Sequence, residues 1–139
     1  MVTTENIFGL SVGVMILNKK NEVLLGKRRG SYAGSWCMPG GKAEYGESPH
    51  EAAIRETHEE CSLSVSGLRL ISVGNNRISG GVQFVTLGFL AKDWHGDPSC
   101  AEPENFEEWR WYALDLLPKN VFTPSRVIID AFASMESCV

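Results

Sequence analysis

The 139-residue chain is poor in histidine, with three, and none of its four cysteines, Cys37, Cys61, Cys100 and Cys138, forms a Cys-x-x-Cys pair. That scarcity argues against a zinc site, whose ligands come as clustered Cys and His. Cysteines spaced without a disulfide framework point to a reducing, cytoplasmic setting. No apolar run approaches the roughly 20 residues a membrane helix needs. Residues 1–7 lack the basic-then-apolar order of a signal peptide. Basic runs are missing too. Thirteen Lys and Arg stand against 17 Asp and Glu, a net charge of −4, so the surface does not attract a nucleic-acid polymer. An anionic small-molecule substrate must then meet positive charge inside its site, and a metal cation is the obvious source. Repeats, linkers and low-complexity stretches are absent as well. The length therefore reads as one domain over residues 1–139, with chain enough to bury a core.

What is present divides into strands and two helices. Residues 9–17 are apolar and rich in Val and Ile, as a buried strand is. After a polar turn at 18–21, residues 22–29 (EVLLGKRR) predict a strand that ends in three cations. A Gly/Ser-rich loop spans 30–35, and WCMPGG at 36–41 ends in a strong breaker. Residues 63–73, 82–91 and 107–112 read as further strands. Residues 93–105, with Pro98 and Pro103, read as a loop. Residues 124–134 predict a last helix with Val127, Ile128, Ala131 and Phe132 inward. This order belongs to the α+β class, as a mixed α/β/α sandwich.

The clearest helix begins at Ser48. This is a good N-cap, Pro49 suits the first helical position, and Glu51 completes an S-x-x-E capping box. Ala52, Ala53, Ile54, Thr57 and Cys61 supply a narrow apolar face. Glu56, Glu59 and Glu60 are spaced three and four apart, so all three carboxylates share one side. Like charges at these spacings repel by roughly 0.2–0.5 kcal/mol per pair on an exposed helix. Arg55 offsets part of that through Glu59 at i+4. The helix alone allows two readings, a solvated acidic face or a cluster for a hard divalent cation such as Mg²⁺.

The preceding residues change the weighting. Gly41, Glu47, Arg55, Glu56, Glu59, Glu60 and Leu63 match seven of the nine specified positions of G-x5-E-x7-R-E-U-x-E-E-x-G-U, where U is aliphatic. This resembles the Nudix box. Thr57 replaces the usual aliphatic and Ser62 the last glycine, which questions how the chain leaves the helix. LLGKRRG, MPGGKAEYGE and the EPE-x-x-E-x-W stretch at 102–109 are similar to Nudix nucleotide pyrophosphatases of the MutT type. The resemblance implies a Nudix-type α/β/α sandwich with a mixed β-sheet. It implies metal-dependent hydrolysis of a nucleoside triphosphate, an oxidised purine among the options, to monophosphate and pyrophosphate. Nucleotide-sugar, dinucleotide or pterin triphosphate hydrolysis stays open, and an intact box speaks against a non-catalytic sensor.

The resemblance also implies roles. Glu56 and Glu60 ligate Mg²⁺ or Mn²⁺, with Glu59 as ligand or base and the Gly40 carbonyl as a backbone ligand. Glu102 or Glu104 arrives from a distant loop, with Glu104 taken as the catalytic one. Arg55 orients the glutamates and Glu47 braces the loop. Expected substrate contacts are Arg28, then Arg29, because a guanidinium fork suits phosphate, together with Gly41 and Lys42. For the base, Trp36, Trp94, Trp109 and Trp111 are stacking candidates, though a tryptophan is more often core. Asn75, Asn76 and residues 122–125 are weaker candidates, Cys61 reads as a small buried residue, and a homodimer stays open.

Overall fold

In a computed structural model, which describes residues 6–78 and 80–137, nine strands and two helices follow one another. They are β1 (Ile7–Ile16), β2 (Glu22–Arg28), β3 (Trp36–Cys37), β4 (Gly40–Lys42), α1 (Pro49–Cys61), β5 (Ser64–Ser66), β6 (Arg69–Ile78), β7 (Val82–Ala91), β8 (Asp93–His95), β9 (Phe106–Ala113) and α2 (Thr123–Ser137). Cys138 lies outside the described residues.

Alternation along β1 decides the layering, since neighbouring side chains on a strand point to opposite faces. Val12, Val14 and Ile16 join Ala52, Ala53 and Cys61 of α1 in one buried cluster. Met15 and Leu17 join Ile128, Ile129 and Phe132 of α2 in another. The central sheet, ordered β4-β1-β7-β6, thus carries a helix on each face. It is mixed: β1 runs parallel to β7 and antiparallel to β4. A second sheet is ordered β3-β2-β9, and β5 pairs with β8. The expected α/β/α sandwich of the α+β class is what forms. No helix among the described residues is long and apolar enough to cross a membrane.

Several local readings change. The strand expected over 63–73 breaks at Gly67 (φ 59°) into β5 and β6. Part of the expected 93–105 loop is β8, because Asp93–His95 finds hydrogen-bonding partners in Ser64–Ser66. Ile54 and Val127 are exposed rather than inward. On α1 the place left by Ile54 is filled on the inner side by Thr57 and, unexpectedly, by Glu60, both buried.

Candidate active site

The site is assembled around α1. Its start is held by both halves of the capping box: the Glu51 N–H donates to Ser48 Oγ at 3.1 Å and the Ser48 N–H to Glu51 Oε1 at 3.0 Å. Arg55 then binds the acidic residues together. Its Nε donates to Glu47 Oε2 at 2.6 Å and its Nη2 to Glu47 Oε1 at 3.0 Å, a two-pronged contact. Nη1 reaches Glu56 at 3.1 Å and Glu59 at 3.2 Å, and Nη2 also donates to the Lys42 carbonyl at 3.1 Å. These bonds hold the Glu47 carboxyl down at about 2, and ion-paired Glu47 fastens the loop to the helix. The glutamates that repel one another share one guanidinium, which spreads its donors in a fixed fork.

Glu60 is different. It is 8% exposed, and its Oε1 accepts a hydrogen bond from the Gly40 N–H at 2.8 Å. Burial pushes its carboxyl up to about 9. The Gly40 bond and Arg28 pull it down, and the charges of Glu56 and Glu102 push it further up. Glu56 is also raised, by burial first. Glycine is required beside both. A Cβ at Gly40 would lie 2.1 Å from the Val12 carbonyl oxygen, and one at Gly41 would lie 2.6 Å from Glu56 Oε1.

Glu60 opens on a cavity of about 430 Å³ on the α2 side of the sheet, whose wall includes Arg28, Gly40, Gly41 and Lys42. Four expected substrate or metal positions therefore meet Glu60 in one place. Glu56 sits against Gly41, and Glu59 is the more exposed member, 47% by side chain, held by Arg55. Arg28 lies over Phe122, its guanidinium carbon 4.6 Å from the ring centroid, with Nε–H donating to the Ser31 carbonyl. Arg29 is placed elsewhere. It is exposed, pairs with Glu107 at 3.8 Å and does not line the cavity. A register shift between Lys27 and Arg28 at the end of β2 re-aims these cations.

Glu102 and Glu104 are placed differently. The Ala101 N–H donates to the Glu60 carbonyl at 3.3 Å and the Ser99 N–H to the Cys61 carbonyl at 3.0 Å, so the loop docks on the end of α1. This brings the charge of Glu102 to bear on both Glu56 and Glu60, whereas Glu104 is exposed and acts on neither. We expect Glu102→Gln to lower kcat/KM by about 10- to 100-fold, as loss of a group supporting a metal site does. Glu104→Gln should stay within about twofold, and equal losses in steady-state assays would reverse the assignment.

The tryptophans are structural: Trp36 is in the core, and Trp94, Trp109 and Trp111 pack against it. The aromatic cavity wall is instead Tyr32, Phe84 and Phe122. Of these only Phe122 lay within the expected stretch. Ser11, Thr86, Tyr32 and Phe84 were missed, because short polar or aromatic residues in a strand carry no signal of a shared wall. Asn76 lines the cavity, while Asn75 lies in an adjoining groove.

Residues 7–132 match the family model described as the NUDIX domain. The chain belongs to the Nudix family. It is a Nudix hydrolase of MutT-like fold and sequence. It is 34% identical over 109 residues to an RNA pyrophosphohydrolase of Hamiltonella defensa, covering 78% of this chain and 60% of that one. It is 28% identical over 142 residues to an RNA pyrophosphohydrolase of Roseobacter denitrificans, covering 87% and 89%. The chain thus spans less than two thirds of the first relative's length and most of the second's. Among solved structures, a MutT NUDIX hydrolase from Burkholderia pseudomallei superposes with a TM-score of 0.84 at 30% identity, covering 89% of this chain and 97% of that one.

Nudix hydrolases generally use a divalent metal, and the donor set here suits one. Glu56 and Glu60 are one helical turn apart, both are driven towards the neutral form by burial, and a third acid, Glu102, raises both further. A hard cation would relieve that repulsion with the oxygen ligands it prefers. As placed, Arg55 takes Glu56 and Glu59 while Gly40 takes Glu60. No three acidic, His or Cys side chains among the described residues are gathered around one point. Binding a cation therefore requires these carboxylates to exchange partners. At the Nudix-box position usually held by glycine, Ser62 adopts the left-handed conformation (φ 64°) and caps α1 by donating its N–H to the His58 carbonyl. Its Oγ bonds Ser99 Oγ at 2.8 Å, which supports a conformation a non-glycine residue rarely takes.

Proposed function

We propose that this Nudix hydrolase splits a nucleoside triphosphate into monophosphate and pyrophosphate, with Mg²⁺ or Mn²⁺. The observation that carries this reading is the cavity itself. Buried Glu60 lies in the field of the cation Arg28, and both line a hollow whose wall also includes Phe84, Met38 and Ile128. An anionic tail beside the charged residues and a flat heterocycle against the apolar ones suit that lining. A cation held by Glu56 and Glu60, with Glu59, Glu102 and the Gly40 carbonyl as further donors, neutralises phosphate charge and acidifies a water when bound. Arg55 keeps Glu56 and Glu59 in line, and Gly41 leaves the space Glu56 occupies. Glu59, exposed beside them, is the carboxylate placed to take a proton from solvent water. Arg28 neutralises the outer phosphates.

The test is a panel of normal and oxidised nucleoside triphosphates, diphosphates, sugar nucleotides and dinucleotides, with product identification. Activity should vanish with a chelator and return with Mg²⁺ or Mn²⁺. Full turnover in metal-free buffer, or orthophosphate as first product, would sink the reading. Arg28→Ala should cut kcat/KM for triphosphates about 10- to 100-fold, the worth of a charge-assisted contact, and do so alike for every base. An Arg28→Ala enzyme that kept its rate would remove Arg28 from the phosphate site.

One observation favours a longer substrate. A groove lined by Arg77 and Lys119 adjoins the cavity through Tyr32, Asn76, Phe122 and Pro124, which line both. Cations beyond the mononucleotide hollow suit the further phosphates of an RNA, the molecule in the name of the two RNA pyrophosphohydrolase relatives. Including a 5′-triphosphorylated oligoribonucleotide in the panel separates the readings, since the RNA reading requires it to outcompete its own mononucleotide.

A further inference from the structure

One stretch of the cavity wall is polar without a structural need. Ser11 of β1 and Thr86 of β7 are register partners in the parallel pair, and their hydroxyls meet at 2.7 Å. Asn76, on the neighbouring strand β6, donates Nδ2–H to the same Thr86 Oγ1 at 2.8 Å. All three line the cavity, and Thr86 is 6% exposed. The surrounding wall is apolar, from Phe84, Val82, Met38 and Ile128. Valine or leucine would pack there at no cost in hydrogen bonds, whereas buried polar groups are costly unless partnered.

The three side chains stand in a defined place. β4, β1 and β7 are consecutive in the sheet, with Lys42 beside Ser11 and Ser11 beside Thr86. Strands are about 4.8 Å apart, so Thr86 lies roughly 10 Å across the sheet from the strand of Gly40 and Gly41. Thr86 and Asn76 therefore lie two and three strands from the Gly40 strand that Glu60 contacts, with Ser11 on the strand between. Thr86 uses its oxygen on two neighbours, which pins the Asn76 carboxamide. An asparagine amide has two N–H donors and an acceptor oxygen with two lone pairs. One N–H is spent on Thr86. The second N–H and Oδ1 have no hydrogen-bond partner among the described residues and are left for a ligand.

We propose that Asn76 is a specificity-determining residue that pairs with the hydrogen-bonding edge of the substrate's base, and that Thr86 and Ser11 position it. This rests on the nucleotide reading given above. A carboxamide offers one donor beside one acceptor, so its match is a heterocycle with an adjacent donor and acceptor. A purine without exocyclic groups has no such pair, and would leave the amide of half-buried Asn76 without a partner on the base. A site that hydrogen-bonds its substrate rejects the analogue lacking those groups far more strongly than an apolar pocket does.

The experiment compares kcat/KM for the four ribonucleoside triphosphates and for purine riboside triphosphate. The wild type should favour its best base over unsubstituted purine by at least about 30-fold. Asn76→Leu should shrink that ratio below threefold. Thr86→Val should lower it part-way, and Thr86→Ser, which keeps the hydroxyl, should restore it. If Asn76→Leu does not fold, Asn76→Ala and the Thr86 pair carry the test. A wild type indifferent to unsubstituted purine, or variants that keep the wild-type ratio, overturns the proposal. Calorimetric binding of the corresponding monophosphates separates the two readings. Selective binding that is lost in the Asn76 variants supports this proposal even if no triphosphate is hydrolysed, which is the failure of the function reading alone. Hydrolysis with an unchanged base ratio leaves that reading standing and removes Asn76.

Discussion

Glu60→Gln should lower kcat by about 10³-fold, the upper range for removing one preorganised charge from a site, while making the metal-free protein more stable at neutral pH. Both effects come from one placement. The carboxylate is buried beside Arg28 and within the field of Glu56 and Glu102, and burial raises its pKa to about 9. In the unfolded chain the group titrates near the ordinary 4.5. Below that value both states hold the proton and Glu60 makes no demand on the fold. As pH rises from about 4.5 towards 9, the unfolded chain releases the proton and the native one retains it, so stability falls through that window. Glutamine has no proton to lose. Metal-free wild type should therefore lose on the order of 2–3 kcal/mol relative to the variant by pH 7–8. Chemical denaturation across pH in chelator checks this, and parallel stability curves would show that Glu60 is not held in a low-dielectric place. Adding Mg²⁺ should stabilise the wild type and leave Glu60→Gln nearly unmoved.

The two glycines before the acidic helix should fail in different ways. At Gly40 an added methyl meets backbone, the Val12 carbonyl oxygen at 2.1 Å, and β1 cannot retreat because β7 pairs along its whole length. Gly40→Ala should cost about 3 kcal/mol or more, at the upper end for overpacking. At Gly41 the methyl meets the tip of a side chain, Glu56 Oε1 at 2.6 Å. Glu56 can swing away, so Gly41→Ala should keep the fold within about 1 kcal/mol. The swing carries a proposed metal ligand out of place, and a shift of about 1 Å can cost 10²-fold in rate. Thermal unfolding and kcat/KM measured on both variants test the contrast. A stable, fully active Gly41→Ala enzyme would mean that Glu56 has no fixed position in the reaction.

Much of the acidic helix is legible locally because its geometry is local. Ser48, Pro49 and Glu51 announce the start of α1 within four residues, and both capping hydrogen bonds form. The 3.6-residue repeat places Glu56, Glu59 and Glu60 on one side whatever the rest of the chain does. Arg55 and Glu47 are eight residues apart, and their ion pair needs only the helix and the loop before it. The apolar, Val- and Ile-rich run at 9–17 was enough to expect a buried strand, and β1 forms there.

Spacing along the chain carries no record of distant partners, and that is where the readings diverged. Exposure of the three glutamates is set by what covers them: β4 and the loop at 99–102 bury Glu60 and leave Glu59 out. Glu102 and Glu104 differ by two residues in sequence, and docking of the loop on α1 distinguishes them. Arg28 and Arg29 are neighbours in sequence, and a register shift against β9 sends one to the cavity and the other to Glu107. Ser11 and Thr86 are 75 residues apart and touch because β1 and β7 are parallel partners. The sequence by itself determined the helix, its caps and its row of carboxylates, since helical hydrogen bonds join residues four apart. Tertiary structure alone decided which carboxylate is buried, which arginine lines the cavity and which side chains share its wall, since register and docking are settled between segments far apart in the chain.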